Sequence, residues 1–341
     1  MNRTVSFSKH AVNVFFHILT RCNLSCRHCY INPGQHGRDS LPLSVIRQWL
    51  DAFSHKSSAA NVVFLGGEPT LHPDLADAVK AARGMGYASV TIDTNGYLFH
   101  DILNRLTPDE VNYISFSLDG ATPRTNDLIR GDGSYERCLA GIRRAVEMGF
   151  GASLIYTVSS MNLHELDRMP ALLQQLGIRR FFIQVIGLRG RSGAGSCGSG
   201  HEGLQLDASS WLKVIPEVAE AAARIGIRTV YPKVFLAPDE PFECAGLAAE
   251  NYFVFPNGRV YRCPLCEDYP LHSLVLEDGR LKATGRINES DLFHLNIPEG
   301  CVMNRLIQPG NLSYGFDGGV RHRVACCMLK EEVGHSLMGN G

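Results

Sequence analysis

The sequence predicts an α/β fold, a partial (βα)6 TIM-like barrel followed by a small cysteine-rich C-terminal domain. Between residues 12 and 231, short apolar runs of strand length alternate with amphipathic helical segments, a pattern typical of a parallel sheet. Six strand–helix units can be counted, fewer than the eight of a closed barrel. Beyond residue 231 the helical periodicity weakens, and six of the eleven cysteines lie there. We therefore predict two domains, residues 1–231 and residues 232–341.

The predicted strands are rich in β-branched and aromatic side chains, and the segments between them repeat apolar residues at helical spacing. The six strands are predicted at residues 12–19, 62–65, 89–93, 113–118, 152–158 and 181–186. Helices are predicted at residues 43–53, 73–85, 100–106, 124–130, 135–148, 163–176 and 208–225. Residues 228–231 are predicted to form a further short strand.

The composition is that of an ordinary globular chain. The 341 residues are 45% hydrophobic, with a mean hydropathy of −0.05 and a formal net charge of −1. This charge gives no basic surface for nucleic acid, and no apolar run approaches membrane-spanning length. The N-terminal apolar run contains Asn13 and His17 and lacks a signal-peptide cleavage site. We expect a cytoplasmic protein, with no membrane or nucleic-acid partner, whose thiols stay reduced.

Three cysteines, Cys22, Cys26 and Cys29, follow the first predicted strand at CxxxCxxC spacing. They lie at the carboxyl end of that strand, where α/β folds place their chemistry. Three thiolates from one loop suit a [4Fe–4S] cluster and leave one iron without a protein ligand. Two alternatives stay open: a zinc site completed by His28 or a distant residue, and a disulfide with a spare thiol.

A glycine-rich turn follows the second predicted strand, about 35 residues after the cysteine loop, with the sequence Gly66, Gly67, Glu68 and Pro69. The glycines permit unusual backbone conformations and close approach of a ligand, and Glu68 adds a carboxylate. Together with CxxxCxxC followed by Tyr30, this turn resembles the signature of the radical S-adenosylmethionine (SAM) superfamily. The alternative for the turn alone is a tight loop with a solvated glutamate.

The resemblance implies both the barrel fold and the cofactors. In that family the open iron of the [4Fe–4S] cluster chelates the amino and carboxylate groups of SAM. The reduced cluster then passes one electron to the sulfonium and releases a 5′-deoxyadenosyl radical. The resemblance also implies that the Gly-Gly-Glu turn, which here includes Glu68, binds the methionine ammonium group of SAM.

Residue parity on the fourth predicted strand supports a site inside the barrel. Ile114, Phe116 and Leu118 alternate with Ser115 and Ser117, so the serines should point inward and the apolar residues outward. The resemblance puts Ser117 and Asp119 near the SAM ribose or methionine moiety.

Further polar residues end the neighbouring strands or lie within them, and each could instead be an ordinary polar residue at a strand end. The predicted SAM-site residues of this kind are Thr94, Asn95 and Gln184. Arg130 has two open interpretations, a partner for the SAM carboxylate or a surface residue.

The C-terminal cysteines begin with the spacing C-x13-G-x4-C from Cys244 through Gly258 to Cys263, and residues 255–263 are typical of a β-hairpin. This spacing resembles the start of SPASM and twitch domains, which append auxiliary [4Fe–4S] clusters to radical SAM barrels. The later CxxC-x5-CxxxC run of the full SPASM pattern is absent. We therefore predict one auxiliary cluster held by Cys244, Cys263 and two others, with a structural zinc site as the alternative. The remaining candidate ligands are Cys266, Cys301, Cys326 and Cys327.

Two cysteines lie outside both groups. Cys138 falls in a predicted helix and is interpreted as a small buried apolar residue. Cys197 lies in a Gly- and Ser-rich segment after the sixth strand. It could donate a hydrogen atom to a substrate radical, as in radical epimerases, or be an incidental surface cysteine.

These features predict a radical SAM enzyme that abstracts a hydrogen atom from a peptide or protein, leading to oxidation, cross-linking or epimerisation. One alternative is the same chemistry on a small molecule, such as an aminoglycoside or tetrapyrrole precursor. Another is a non-catalytic iron–sulfur or zinc binding protein. The expected partner is a flavodoxin- or ferredoxin-type electron donor. Only about a dozen residues precede the first predicted strand, against roughly 80 in a peptide-recognition domain, so a leader peptide would need either a separate peptide-recognition protein or the barrel surface.

Overall fold

The structure is a computed structural model, and it describes residues 5–6, 11–56, 59–193, 203–325 and 327–334. The strands are β1 (Val5–Ser6), β2 (Val12–His17), β3 (Ala60–Leu65), β4 (Ser89–Thr94), β5 (Tyr113–Ser117), β6 (Ala152–Val158), β7 (Arg180–Val185), β8 (Arg228–Pro232), β9 (Phe235–Leu236), β10 (Asn251–Val254), β11 (Arg259–Tyr261), β12 (Leu274–Glu277), β13 (Arg280–Ala283), β14 (Arg323–Val324) and β15 (Leu329–Val333).

The helices lie mainly between consecutive strands of the first two thirds of the chain. The α-helices are α1 (Pro33–His36), α2 (Leu43–Ser54), α3 (Leu75–Gly84), α4 (Ile102–Arg105), α5 (Pro123–Arg130), α6 (Ser134–Glu147), α7 (Met169–Gln175), α8 (Ala208–Arg224), α9 (Ala245–Ala248), α10 (Glu289–Phe293) and α11 (Val302–Ile307). The 3₁₀ segments are Pro69–Leu71, Phe99–Asp101, Leu163–Arg168, Gly190–Ser192, Pro264–Cys266 and Pro309–Asn311.

Strands β2 to β8 form a parallel sheet in which each strand lies beside the next one in the chain. Strands β2 and β8 do not pair with each other, so the sheet is an open barrel rather than a closed one. The main hydrophobic core lies between this sheet and the helices. Ile114, Phe116 and Leu118 are fully buried, as parity predicts. The predicted α/β fold with a mostly parallel sheet is confirmed.

Two of the predicted helices are shorter in the structure than the periodicity suggests. The segment predicted at residues 163–176 begins as a 3₁₀ turn, and α7 starts only at Met169, because Pro170 fits the first turn of an α-helix. The segment predicted at residues 100–106 is an α-helix only from Ile102. Its first residues, His100 and Asp101, have positive φ angles that no helix interior allows.

The C-terminal strands extend both edges of the same sheet. β10 pairs in parallel with β2, and an antiparallel meander from β10 to β13 continues outward from it. At the other edge, β15 pairs antiparallel with β8. A second hydrophobic cluster, around Phe255, Tyr261 and Cys266, packs under this part of the chain. The division at residue 231 stays a prediction, with that second cluster in its favour.

The predicted hairpin is formed by β10 and β11, with the turn at residues 255–258. Gly258 has a φ angle of 82°, and a Cβ atom there would lie 2.8 Å from the carbonyl oxygen of Leu276. Glycine is required at this turn for both reasons. Within the described ranges, no helix combines the length and apolarity needed to cross a membrane.

Candidate functional site

A cavity of about 280 Å³ opens at the carboxyl ends of the parallel strands, where the predicted chemistry should lie. Its wall combines the three thiols of the N-terminal loop, polar residues from the strand ends, and an apolar side on which the rings of Phe15 and Phe253 stack 4.6 Å apart. The predicted site residues that line it are Cys22, Cys26, Cys29, Gly66, Gly67, Glu68, Thr94, Asn95, Ser117, Gln184 and Cys327.

Two backbone amides of the cysteine loop make hydrogen bonds that hold its shape. The amide of Arg27 donates to the carbonyl of Ile129 at 2.9 Å, which ties the loop to the end of α5, and the amide of Leu24 donates within the loop to the Sγ of Cys22 at 3.3 Å. All three thiols are half-buried. Burial raises the pKa of Cys22 to about 12 and also raises the pKa of Cys26, so a bound metal is needed to keep them as thiolates at neutral pH.

The glycine pair lines the cavity, where the close approach of a ligand stays a prediction, but its backbone differs from the predicted one. Neither Gly66 nor Gly67 adopts a positive φ angle. Instead, the start of the cysteine loop packs directly on them: a Cβ atom at Gly66 would lie 2.4 Å from the carbonyl oxygen of Leu19, and one at Gly67 would lie 2.3 Å from that of Arg21. The prediction of unusual backbone angles is wrong, because the space a side chain would need is filled by the loop that carries the thiols.

Glu68 is buried, with only 1% of its surface exposed, and its carboxylate is held by hydrogen bonds. The amide and hydroxyl of Thr70 donate to Oε1, at 3.0 and 2.6 Å, and so does the hydroxyl of Thr94, at 2.8 Å. The amide of Asn95 donates to Oε2 at 2.7 Å. Burial raises the pKa of Glu68, while these four hydrogen bonds oppose that rise and favour the carboxylate.

Thr94 and Asn95 therefore join the glutamate turn to the cysteine loop. The Nδ2 atom of Asn95 also donates to the Oδ1 of Asn23, at 2.8 Å, and lies 3.9 Å from the Sγ of Cys22. Pro69 has no place in the cavity wall. It is buried in the 3₁₀ turn behind Glu68, where it starts the turn that Glu68 caps.

Asp119 lies behind the cavity wall rather than in it. It is fully buried, and its Oδ2 lies 2.6 Å from both the Nε2 of His28 and the Nε of Arg130, while its Oδ1 accepts from the amide of Thr157 at 2.7 Å. Burial alone would raise the pKa of Asp119, but the charge of Arg130 and the contact with His28 lower it to about 2. Asp119 thus positions two residues that do line the cavity.

The same contacts decide one alternative that the sequence left open. Arg130 is buried and lines the cavity, so it is no surface residue. His28 lines the cavity with its Nε2 held by Asp119, and a zinc site that uses its other ring nitrogen stays an alternative. Within the described part of the chain, no three His, Cys, Asp or Glu side chains converge on a single metal ion. Thiols that surround a space suit a cluster, in which each thiolate binds a different iron.

Sequence reasoning missed Asp93, which lines the cavity beside Glu68. Burial raises the pKa of Asp93 to about 7; a hydrogen bond with Ser115 opposes that shift, and the nearby charge of Glu68 adds to it. Asp93 faces Ser115 across β4 and β5. The parity rule applied to β5 would have found it on β4, because Thr91 and Asp93 alternate with the buried Val90 and Ile92.

The C-terminal thiols gather at a second, much smaller cavity of about 20 Å³, whose lining includes Cys244, Cys263 and Cys301. Cys266 is buried next to it, and its amide donates to the carbonyl of Cys263 at 3.1 Å. Pro264 and Met328 line both cavities, so a single layer of residues separates them.

Among the described residues, one predicted ligand of the auxiliary cluster falls elsewhere. Cys327 lines the larger cavity instead of the smaller one. Cys326 and Cys197 lie outside the described residues. Cys138 is buried in α6, as predicted, and its Sγ donates to the carbonyl of Ser117 at 3.6 Å.

Comparison with known proteins finds a family match for the first half of the chain. Residues 16–173 match the family described as the Radical SAM superfamily. This part of the chain therefore matches a radical SAM domain. A domain of this family uses a [4Fe–4S] cluster and SAM, and the three thiols around one polar cavity fit both groups.

Curated relatives of the radical SAM domain carry several names. The pre-heme d1 synthase of Dinoroseobacter shibae is 29% identical over 52% of this chain and 44% of the relative. A probable GTP 3',8-cyclase of Saccharolobus islandicus is 32% identical over 48% of this chain and 53% of that relative. The chain thus spans about half the length of these two relatives. The mycofactocin maturase MftC of Mycobacterium ulcerans is 27% identical over 76% of this chain and 70% of the relative.

Solved structures share the fold at low sequence identity. Streptococcus suis SuiB bound to precursor peptide SuiA superposes with a TM-score of 0.59 at 14% identity, covering 86% of this chain and 66% of SuiB. The structure of native anSMEcpe with bound AdoMet gives a TM-score of 0.58 at 13% identity, covering 87% of this chain and 82% of anSMEcpe. These matches extend the likeness in fold beyond the radical SAM domain.

Proposed function

We propose that this chain is a radical SAM enzyme that abstracts a hydrogen atom from a peptide or protein, as a step in its oxidation, cross-linking or epimerisation. The observation that carries the proposal is the cavity at the strand ends, which brings three thiols, a buried carboxylate and an apolar wall together. A relative named as a maturase and a similar structure solved with a precursor peptide support a peptide as substrate.

The residues of the cavity divide the work of holding SAM. Cys22, Cys26 and Cys29 would hold the cluster. Among the described residues, Oε2 of Glu68 accepts one hydrogen bond, so it has acceptor capacity left and would accept from the SAM ammonium. Arg130, held in place by Asp119, would bind the SAM carboxylate.

When bound, the cluster and SAM supply a 5′-deoxyadenosyl radical that can abstract hydrogen from an unactivated carbon. The protein has to keep water and other side chains away from such a species. The stacked rings of Phe15 and Phe253 form an apolar part of the wall suited to this. Ser117, Asn95 and Gln184 offer hydrogen bonds to the remaining polar groups of SAM or substrate.

We propose that Cys244, Cys263, Cys266 and Cys301 hold one auxiliary [4Fe–4S] cluster of the SPASM/twitch kind. Their grouping at one small, mostly apolar cavity supports this set over sets that include Cys327. A structural zinc ion is the alternative, and it would require these thiols to move closer together, because no three described His, Cys, Asp or Glu side chains converge on one ion. Iron analysis separates them, since two clusters give about eight irons per chain and one cluster gives about four.

The proposed chemistry has requirements outside the chain. A flavodoxin- or ferredoxin-type protein would reduce the N-terminal cluster, and the peptide would bind either through a separate protein or on the barrel surface. Oxygen-sensitive clusters require a reducing setting such as the cytoplasm. The names of the pre-heme d1 synthase and GTP cyclase relatives keep a small-molecule substrate as the second candidate.

The test uses the full chain, reconstituted anaerobically with iron and sulfide and reduced with dithionite in the presence of SAM. We expect 5′-deoxyadenosine and methionine in equal amounts, formed faster when a substrate peptide encoded beside the gene is added, with a mass change on that peptide. No 5′-deoxyadenosine would support the non-catalytic binding protein. Stimulation by a tetrapyrrole or aminoglycoside precursor, but by no peptide, would support the second candidate.

A further inference from the structure

Three segments of the chain meet at Arg189, which follows β7. They are the end of the cysteine loop at residues 29–32, the turn at residues 189–193, and residues 263–268, which contain two of the C-terminal thiols. We name this meeting point the Arg189 junction. It lies on the wall of the larger cavity, to which Arg189, Tyr30, Pro264 and Glu267 all contribute.

The side chain of Arg189 joins the two thiol-bearing segments directly. Its Nη1 donates to the carbonyl of Pro264 at 2.6 Å and forms an ion pair with the carboxylate of Glu267, which is 1% exposed. The guanidinium carbon lies 4.7 Å from the centre of the Tyr30 ring, a cation–π contact with the residue after Cys29.

The backbone after Arg189 repeats the connection. The amide of Gly190 donates to Oδ2 of Asp268 at 2.7 Å, and the amide of Arg191 donates to the carbonyl of Cys29 at 2.8 Å. Gly190 has a φ angle of 58°, and a Cβ atom there would lie 2.5 Å from the same Cys29 carbonyl, so the turn presses closely on the cysteine loop. Asn32 completes the connection, since its Nδ2 donates to Oδ1 of Asp268 at 3.1 Å.

From these contacts we infer that Arg189 is a positioning residue that couples metal binding at the C-terminal thiols to SAM binding at the N-terminal cysteine loop. Metal bound to Cys263 and Cys266 fixes the short segment that ends in Glu267 and Asp268. Arg189 and Gly190 carry that constraint to Cys29 and Tyr30. By linkage, each site then strengthens binding at the other by the same factor. The inference rests on the proposed function.

The test is a double-mutant cycle on SAM affinity. The dissociation constant for SAM is measured on oxidised, anaerobically reconstituted protein, which binds SAM without cleaving it. The two changes are Cys263→Ala with Cys266→Ala, which empties the C-terminal site, and Arg189→Gln. We expect removal of the thiols to weaken SAM binding at least fivefold in the wild-type background and less than twofold in the Arg189→Gln background.

Two further variants keep the result interpretable. Arg144→Gln removes a surface arginine whose partner Asp101 is also exposed, and should leave the fivefold factor unchanged. Arg189→Lys keeps the charge but loses the planar contact with Tyr30. Arg189→Lys should weaken SAM binding about threefold at full iron content. If the protein without Cys263 and Cys266 does not fold, this variant alone serves as the test.

The same factor in both backgrounds would overturn the coupling, as would wild-type affinity in Arg189→Lys. Wild-type protein that holds about eight irons and binds SAM, but shows no coupling, leaves the proposed function standing. Wild-type protein that binds no SAM contradicts the proposed function, and the coupling falls with it.

Discussion

The two groups of thiols differ in the space around them. The N-terminal thiols are half-buried and border a cavity of about 280 Å³ whose wall carries charged and polar groups beside an apolar side. In the C-terminal group, Cys263, Cys266 and Cys301 are buried, and the cavity lined by Cys244, Cys263 and Cys301 is about 20 Å³ with a mainly apolar lining. The first group has room for a ligand beyond the metal, and the second does not.

This difference parallels a general distinction among metal sites. Catalytic sites keep a coordination position open for water or substrate, whereas structural sites are closed by protein ligands. Three thiols beside a large cavity match the open kind. Three thiols at a small cavity, with the buried Cys266 next to it, match the closed kind. We therefore expect SAM to bind at the N-terminal site alone.

Removing one ligand from each site should give the largest and most unequal effects. Cys26→Ala should lose about four irons and all detectable SAM cleavage, because the cluster that binds SAM is no longer held. Cys263→Ala should also lose about four irons, yet retain SAM cleavage at saturating SAM. Iron analysis and 5′-deoxyadenosine assays on both variants check this.

Cys138→Ala is the control, because this thiol is buried in α6 apart from both groups. It should keep all the iron and the full rate of cleavage. SAM cleavage by Cys26→Ala would contradict the assignment of the SAM-binding cluster to the N-terminal thiols. A complete absence of SAM cleavage in Cys263→Ala would contradict it as well.

Glu68→Gln should weaken SAM binding about 30-fold, or about 2 kcal/mol, with iron content unchanged. The amide places an NH₂ group against backbone and hydroxyl donors and removes the charge that would meet the SAM ammonium. Equilibrium dialysis with labelled SAM measures the change.

Glu165→Gln is the matched control, since Glu165 is also a buried carboxylate that accepts from the amides of Ala121 and Thr122 but lies outside the cavity wall. It should lower stability with SAM affinity unchanged. Equal losses of affinity in both variants would mean that Glu68 acts only through folding.

Gly67→Ala should reduce the iron bound at the N-terminal site by about half, because the new Cβ atom would displace the backbone at Arg21 and shift the cysteine loop. Gly84→Ala, at the end of α3 where a Cβ atom meets nothing within 4 Å, should leave iron content unchanged and stabilise the helix slightly. Full iron occupancy in Gly67→Ala would show that the loop tolerates the shift.

Asp93→Asn should have the smallest effect, and it should depend on pH. The folded protein keeps the Asp93 proton up to about pH 7, whereas an unfolded chain releases it near the ordinary value of 3.8, so the carboxylate lowers stability as pH rises between these values. We expect the variant to melt about 4 °C higher than wild type at pH 8 and at nearly the same temperature as wild type at pH 4. Thermal unfolding at both values tests this, and a pH-independent difference would contradict the buried carboxyl.

The barrel and the N-terminal site could be predicted from local sequence. Neighbouring residues alone show the alternation of strand and helix, and they also show the parity that turns Ser117 toward the cavity. The CxxxCxxC and Gly-Gly-Glu motifs are each only a few residues long and follow β2 and β3. Because these strands are adjacent, the thiols and the carboxylate come together at neighbouring strand ends.

Features that depend on distant contacts could not be predicted. β10 pairs with β2, although β2 lies more than 230 residues earlier in the chain. Local periodicity cannot predict such a pairing. The burial of Asp119 behind His28 and Arg130, and the grouping of Cys301 with Cys244, also arise only when the chain is folded. Asp93 is different, because its parity was visible in β4.

The most direct test compares two proteins that each carry one cluster. Cys263→Ala with Cys266→Ala keeps the N-terminal cluster, and Cys22→Ala with Cys26→Ala and Cys29→Ala keeps the C-terminal one. Electron paramagnetic resonance is recorded on each reduced protein with and without SAM. The account predicts that SAM changes the g values of the first protein and leaves those of the second unchanged. A shift in the second, or none in the first, would contradict it.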